Sequence, residues 1–571
     1  MKSWPSNSWL RHPLSAPVLL VAVILAVYYP AMSSGILPID DPGIFDLFSA
    51  SPHLSTVLLP GNGYYYRPLV ELSFYLDNVL WGMEPSTMHL ENILLHCANS
   101  LVVYLLARRI SCDDETPVIP LLAALLFALH PVNVEAVAWI AGRTDPLITL
   151  FVLSATYFLL RWIDQPQWQD MTVALFLFGA ALLTKETALA FGAVVLLLIL
   201  TWPGEATKRQ RFNAVAIMAV PGVLLVIFVL IFRSGTSGLN RFLSGTDLPV
   251  THGLWQALIA LGFYARKLIV PFPLNFAINE VNPRNGLVCL ALFPVLWWLF
   301  RRSRLSGILF TSAVLLILPA ILVAVKQVAW TPFAERYLYL STAFIALGVV
   351  GLCGIWQQKY PVVLQTFFVL LLCGFALSSF QRNLLLDDHL AFFQDAVAKS
   401  PEFGSAYYSL GGELIQKGKI DQAAMAFATA ERLNQRDSMR YPIKSSIMGT
   451  LLAKGSYLEA RTYFFQLFKK KQDAPVDFLE ILYVADGKRL ESVKKEGKPQ
   501  LADDLLETLG LLYLKKPDPF WLYRSGQIAL VAGKSVEAAD FFRRAYAAAP
   551  MDAHYKAAAK TYFLRLEDGK L

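Results

Sequence analysis

The chain has 571 residues, of which 56% are hydrophobic and 16% charged, and its mean hydropathy is +0.47. Ordinary soluble domains are less apolar and more charged, and disordered chains far less apolar, so both classes are excluded. The net charge of +7 sits largely beside apolar runs, as at Arg108-Arg109, Lys208-Arg209-Gln210-Arg211 and Arg301-Arg302-Ser303-Arg304. That placement marks membrane topology and argues against nucleic-acid binding.

A spanning helix needs about 20 apolar residues. Eleven candidates run at 17–34, 88–107, 118–138, 143–160, 171–184, 187–202, 212–232, 286–300, 306–325, 337–356 and 361–380. The first ends without a convincing cleavage site and reads as an uncleaved helix. The segment 253–285 contains Arg266-Lys267 and Pro271-Phe272-Pro273 and reads as re-entrant or interfacial. With the N-terminus inside, the basic clusters fall in cytoplasmic loops, and eleven spans place the C-terminal part outside. The five cysteines (97, 112, 289, 353 and 373) have no CxxC or Cys/His metal spacing.

Charges at membrane spans are costly, so each needs a reason. Asp40 and Asp41 follow the first span at the outer face. Such a pair suits a general base and its partner, because burial and like charge raise a carboxyl pKa. The same loop continues through Gly61-Asn62-Gly63-Tyr64-Tyr65-Tyr66-Arg67, where Arg67 could grip a phosphate. His89, Asn92 and His96 share one helix face, placed either to line a polar cavity or to bond neighbouring helices. His130, Glu135, Arg143, Asp145, Lys185, Glu186, Glu335 and Arg336 bring further polar groups to the outer side. Together they suggest an outward-opening polar site for an anion, with ion pairing among themselves as the plainer alternative.

The soluble C-terminal part has the 34-residue TPR pattern. One unit carries Tyr407, Leu410, Gly411, Leu414, Gly418, Ala423, Phe427 and Ala430. Another carries Leu522, Gly526, Ala529, Gly533, Ala538, Phe542, Ala545 and Pro550. A weaker middle unit has Gly455, Ala460, Phe464 and Leu467, and the helix 388–399 reads as half of a preceding unit. The stretch 471–517 has no assignable pattern. Such solenoids bind a protein or peptide on a concave face. The expected domains are therefore a polytopic membrane domain over 1–383 and a TPR solenoid over 384–571, all-α throughout.

The runs Tyr66-Arg67-Pro68-Leu69, His89-Leu90-Glu91-Asn92-Ile93-Leu94-Leu95-His96, His130-Pro131 through Gly142-Arg143-Thr144-Asp145, Lys185-Glu186 and Glu335-Arg336-Tyr337-Leu338-Tyr339-Leu340 follow one another in this order. In them the chain resembles the transmembrane-and-TPR O-mannosyltransferase family and its bacterial relatives. The resemblance implies a GT-C glycosyltransferase fold and a sugar taken from a polyprenyl-phosphate carrier at the outer face. It also implies catalysis by an acid of the first external loop, which Asp40 matches, with Asp41 the second acid. The chain has fewer repeats than the larger members and no Asn-x-Ser/Thr sequon.

The expected chemistry is inverting transfer of a hexose, mannose in the named relatives, to a Ser or Thr hydroxyl of a protein. Asp40 is the base. Arg67, Arg143, Lys185 and Arg336 hold the leaving phosphate. Glu135 and Asp145 orient those cations, and Glu186, Glu335, His89, His96 and His130 support the site. No cofactor is required, although the paired acids leave room for a divalent ion. The partners implied are the lipid-linked sugar, the bilayer and an acceptor protein held by the TPR domain, with no nucleic acid. The expected location is a bacterial inner membrane with the TPR domain in the periplasm, or the endoplasmic reticulum membrane in a eukaryote. Two other readings fit the same residues: an O-oligosaccharyltransferase or glycan polymerase, and a non-enzymatic membrane scaffold displaying TPRs.

Overall fold

The computed structural model describes residues 12, 14–49, 53–59, 66–111, 118–203, 207–234, 236, 250–327, 329–357, 361–434, 436–493 and 497–568. The tyrosines at 64 and 65 and Cys112 fall outside these residues, as does the side chain of Cys353. The described chain is helical, and its one β-bridge joins Ile278 to Phe333. It divides into two compact units, Met1–Pro401 and Glu402–Leu571.

Seven helices of the first unit are long and apolar enough to cross a membrane. They are Ser15–Ser33, Pro85–Ile110, Ile140–Asp164, Lys208–Arg233, Arg304–Lys326, Glu335–Leu352 and Val362–Asp387. An eighth forms if Val118–Ala128 and Pro131–Ala138, bent by 49°, count as one span. Pro131, which cannot donate to a helical carbonyl, sits at that bend. These helices make the chain an integral membrane protein.

The count falls short of the expected eleven for a physical reason. Trp168–Thr184 and Glu186–Thr201 are too short to qualify, because the chain leaves the helical path at Lys185 (φ −154°, ψ 146°). At about 1.5 Å per residue, neither reaches the ~30 Å hydrocarbon thickness. Asn285–Arg302 ends on Arg301 and Arg302 and also falls outside the group. Within 253–285 the chain forms the helix Val250–Ile269, then runs without helix to Asn285. That helix is not one of the apolar spans.

The helix His389–Lys399 belongs to the first unit. Phe392 packs edge-on against Phe276, Arg382 pairs with Asp395 at 3.1 Å, and Asn275 donates to Ser400 at 2.9 Å. These contacts carry the first unit past residue 383, to Pro401.

The second unit is built of antiparallel helix pairs, beginning with Gly404–Gln416 and Ile420–Leu433 and including Pro519–Val531 and Ser535–Ala548. In each of these two pairs a glycine admits an aromatic ring. A Cβ on Gly411 would lie 2.5 Å from the Phe427 ring, and one on Gly526 would lie 2.8 Å from the Phe542 ring. Gly418 and Gly533 close the first helices with φ of +70° and +76°. The stretch 471–517 also forms a pair, Val476–Ser492 with Lys498–Lys515.

Candidate active site

The first span ends in a 3-10 turn, Tyr29–Ser33, and the chain then folds into a short loop. Asp40 and Asp41, adjacent in that loop, meet opposite environments. Asp41 is fully buried and opens the helix Asp41–Ser49. Its Oδ2 accepts from the Leu37 amide at 2.9 Å and its Oδ1 from the Ala141 amide at 3.0 Å. Burial pushes its pKa up to about 7, although these amides pull the other way. Both oxygens are thus occupied, one closing the loop on itself and the other tying it to the turn at 139–143. Asp40 is solvent-exposed. Partial desolvation raises its pKa, and the charges of Arg336 and Arg67 oppose the rise.

The turn that Asp41 grips is tight. A Cβ on Gly142 would lie 2.7 Å from the Ala136 carbonyl oxygen, so a larger residue has no room there. This close return sets Glu135 and Trp139 beside Arg336. The Arg336 guanidinium pairs with Glu135 Oε1. It also lies 5.0 Å from the Trp139 ring centre and 4.9 Å from that of Tyr337. Glu135 Oε2 accepts from the amides of Glu335 at 3.0 Å and Arg336 at 3.2 Å.

Two more cations complete the group. Lys185 Nζ meets Asp145 at 2.5 Å and lies 5.5 Å from the Tyr337 ring centre. Arg67 holds Glu186 with two bonds, of 3.3 Å and 2.8 Å. Arg233 donates to the carbonyls of Leu182 at 2.7 Å and Tyr66 at 3.3 Å, fixing the chain next to Arg67. Lys185 feels the charges of both Arg67 and Arg336. The structure therefore brings together Asp40, Arg67, Glu135, Asp145, Lys185, Glu186 and Arg336. Each cation has a partner acid; Asp40 is solvent-exposed, and the Glu186 carboxylate that pairs with Arg67 is itself 39% exposed. Such a group can bind an anion while the carboxylate takes a proton.

Other expected residues lie elsewhere. Arg143 is 1% exposed and every guanidinium nitrogen is engaged. Nε donates to Asn92 at 2.9 Å, one terminal nitrogen to Asp77 at 2.6 Å and the other to the Met88 carbonyl at 3.1 Å. Phe74 covers its face at 4.7 Å. The expectation that Arg143 grips a phosphate is corrected accordingly: it is a buried clamp between helices. His96 donates from Nε2 to the Ala128 carbonyl at 2.9 Å and meets the Tyr339 hydroxyl through Nδ1 at 2.6 Å. His130 bonds the Leu268 carbonyl at 3.2 Å and packs on Phe375. Both are packing residues. His89 is buried and lines a small recess together with Asp41. Glu335 faces away from Arg336 and pairs with Lys267 at 2.5 Å.

Sequence reasoning passed over Tyr337, Trp139, Arg233, Asp77 and Lys267 as site-building residues. The signal for Arg233 was a lone charge closing an apolar helix, whereas Lys267 stands beside Arg266 as a charged pair near the end of Val250–Ile269. Glu71, in the first turn of the helix Pro68–Trp81, was also passed over; burial raises its pKa to about 7 against the opposing charge of Arg67. Among the described residues no group of three or more His, Cys, Asp or Glu could hold a metal ion.

Residues 76–232 match the family described as dolichyl-phosphate-mannose-protein mannosyltransferase. The chain is 36% identical over 163 residues to the mouse protein O-mannosyl-transferase TMTC1, covering 26% of this chain and 17% of that protein. It is 31% identical over 183 residues to human TMTC3, covering 29% and 20%. It is 24% identical over 524 residues to Drosophila melanogaster Tmtc3, covering 76% and 56%. The matches thus span at most about half the length of these relatives. The crystal structure of ArnT from Cupriavidus metallidurans bound to undecaprenyl phosphate aligns with a TM-score of 0.39 and 16% identity, over 83% of this chain and 85% of that one. The resemblance to transmembrane-and-TPR O-mannosyltransferases read from the motifs is found again in these sequence matches.

Proposed function

We propose that this relative of the protein O-mannosyl-transferases is a glycosyltransferase of the GT-C type. It moves a hexose, by analogy mannose, from a polyprenyl-phosphate carrier to a Ser or Thr hydroxyl of a protein at the outer membrane face. The observation that carries the reading is the exposed Asp40 carboxyl within the fields of Arg336 and Arg67. The family match at residues 76–232 supports the donor class.

Asp40 takes the proton of the acceptor hydroxyl as that oxygen attacks the anomeric carbon. The bond from that carbon to the phosphate oxygen breaks, and the lipid phosphate leaves with the electron pair. Arg336, Lys185 and Arg67 stabilise the charge that develops there. Glu135, Asp145 and Glu186 hold these cations in place. Asp41 has both oxygens occupied, so Asp40 acts without a carboxylate partner, which fits a single displacement with inversion. The chemistry calls on no cofactor beyond the lipid-linked donor. The helix pairs of the second unit are TPR repeats that present the acceptor outside the cytoplasm, in the periplasm if the host is bacterial.

The test is direct. The purified full chain is reconstituted in liposomes with polyprenyl-phosphate mannose and extracytoplasmic proteins from cells lacking the gene. Mass spectrometry should find single hexoses on Ser and Thr, formed with the lipid-linked donor and not with a nucleotide sugar. Transfer of a preassembled glycan block instead of one hexose would overturn the reading.

A further inference from the structure

A cavity of about 400 Å³, with both polar and apolar side chains in its lining, lies between the last turn of the helix Val250–Ile269 and the start of the helix Asn285–Arg302. Its size falls within the range of ligand pockets. Gly262 lets the two helices touch here, because a Cβ there would lie 1.8 Å from the Asn285 carbonyl oxygen. Arg266, Arg284, Asn282 and Asn285 supply donors to the lining, and Glu280 supplies the acceptor. Lys267 also reaches the wall, but Glu335 neutralises it at 2.5 Å. Arg266 differs from Lys267. Its Nε is buried without a hydrogen-bond partner, and neither it nor Arg284 forms an ion pair with a described carboxylate. A buried guanidinium nitrogen without a partner is costly unless a ligand completes it.

The cavity also has an apolar margin. Ile269, Val270 and Phe272 are exposed at 75%, 49% and 43%, and Leu287 at 67%. Leu254 and Trp255, further back on the same helix, are exposed as well. Apolar side chains in solvent-facing positions beside a basic recess, with a tryptophan nearby, suit the boundary between headgroups and acyl chains. A free anion would use the recess and leave this margin idle. An amphiphile uses both.

We propose that this cavity binds an anionic glycerophospholipid with a polyol headgroup, distinct from the sugar donor. Arg266 and Arg284 grip the phosphate, Asn282 and Asn285 donate to its oxygens, and Glu280 accepts from a headgroup hydroxyl. The acyl chains lie along Ile269, Val270 and Phe272. Lys267, part of the lining, is held by Glu335, whose neighbour Arg336 serves the candidate active site.

The experiment uses the full chain in detergent, with lipid adducts counted by native mass spectrometry. Phosphatidylglycerol should bind and phosphatidylcholine should bind at least tenfold more weakly. The double variant Arg266→Gln/Arg284→Gln should lose phosphatidylglycerol affinity at least tenfold. Arg284 is exposed, so Arg284→Gln alone should keep the fold and still lose several-fold. Unchanged phosphatidylglycerol binding in the single and double variants overturns the proposal. Displacement by inorganic phosphate at equal concentration makes the site one for a free anion and overturns it as well. Displacement by polyprenyl phosphate at a tenth of that concentration gives the cavity to the donor, with the same consequence. None of these outcomes depends on Asp40 or on transfer activity.

Discussion

Glu135 holds Arg336 by both the side chain and the backbone: one carboxylate oxygen takes the guanidinium and the other takes the Arg336 amide at 3.2 Å. The arginine on which the candidate site depends is therefore fixed before any substrate arrives. Replacing Arg336 by Ala should lower kcat by about 10²–10³-fold, the scale seen when one stabiliser of developing charge is lost. Glu135→Gln keeps the shape but weakens the grip, and should lower kcat less than Arg336→Ala does. Steady-state transfer kinetics check both. Equal losses in the two variants would contradict the division of roles.

Arg143 should respond differently. Its pair with Asp77 is 1% and 2% exposed at the side chains. Breaking a buried pair by removing one partner costs about 3–5 kcal/mol. Arg143→Ala should lower the unfolding temperature and the yield, and the folded fraction should retain near-normal KM for the lipid-linked donor. A raised KM with unchanged stability would return Arg143 to the phosphate site.

The pH dependence follows from Asp40. A base must be ionised to act, so turnover falls as pH drops through its pKa. Desolvation raises that pKa, which puts the acid limb of kcat/KM above the usual carboxylate value of about 4. Arg336 pulls it down, so Arg336→Gln should move the limb to higher pH. A limb that moves to lower pH in this variant would rule out Arg336 as the neighbour of the titrating base.

In the second unit, Gly411→Ala places a methyl 2.5 Å from the Phe427 ring. Overpacking of this kind costs about 1–3 kcal/mol. Circular dichroism melts of the full chain should show the corresponding unfolding step at lower temperature, with the transfer chemistry intact on small peptide acceptors. An unchanged melt would mean that the helix pair relaxes at no cost.

Much of this architecture could be read from periodicity. The apolar runs and the Gly/Phe/Ala spacing of the repeats are local signals, and the helices follow them. The loop acids and the charged turns were equally visible, because a charge beside an apolar run stands out. Which acid meets which cation was not. Lys185 and Asp145 lie 40 positions apart, and Arg336 and Glu135 lie 201 apart, so only the fold can match them. The same limit hid the difference between Arg143 and Arg336. Both are lone arginines in polar turns, and their roles diverge because Asn92, Asp77 and Met88 surround only the first. Asp41 shows the same limit across 100 positions, since nothing local to it announces the amide of Ala141.

The most direct measurement compares Asp40→Asn with Asp41→Asn. Cells lacking the gene are complemented with wild type or either variant from the same promoter, the level of each protein in the membrane is measured, and hexose on extracytoplasmic proteins is quantified by mass spectrometry relative to that level. Loss of a general base removes about 10²–10⁴-fold of rate. Asp40→Asn should therefore give normal amounts of folded protein and no detectable modification. Asp41→Asn should lose protein level while each surviving molecule keeps some activity. Full modification restored by Asp40→Asn would contradict the account at its centre.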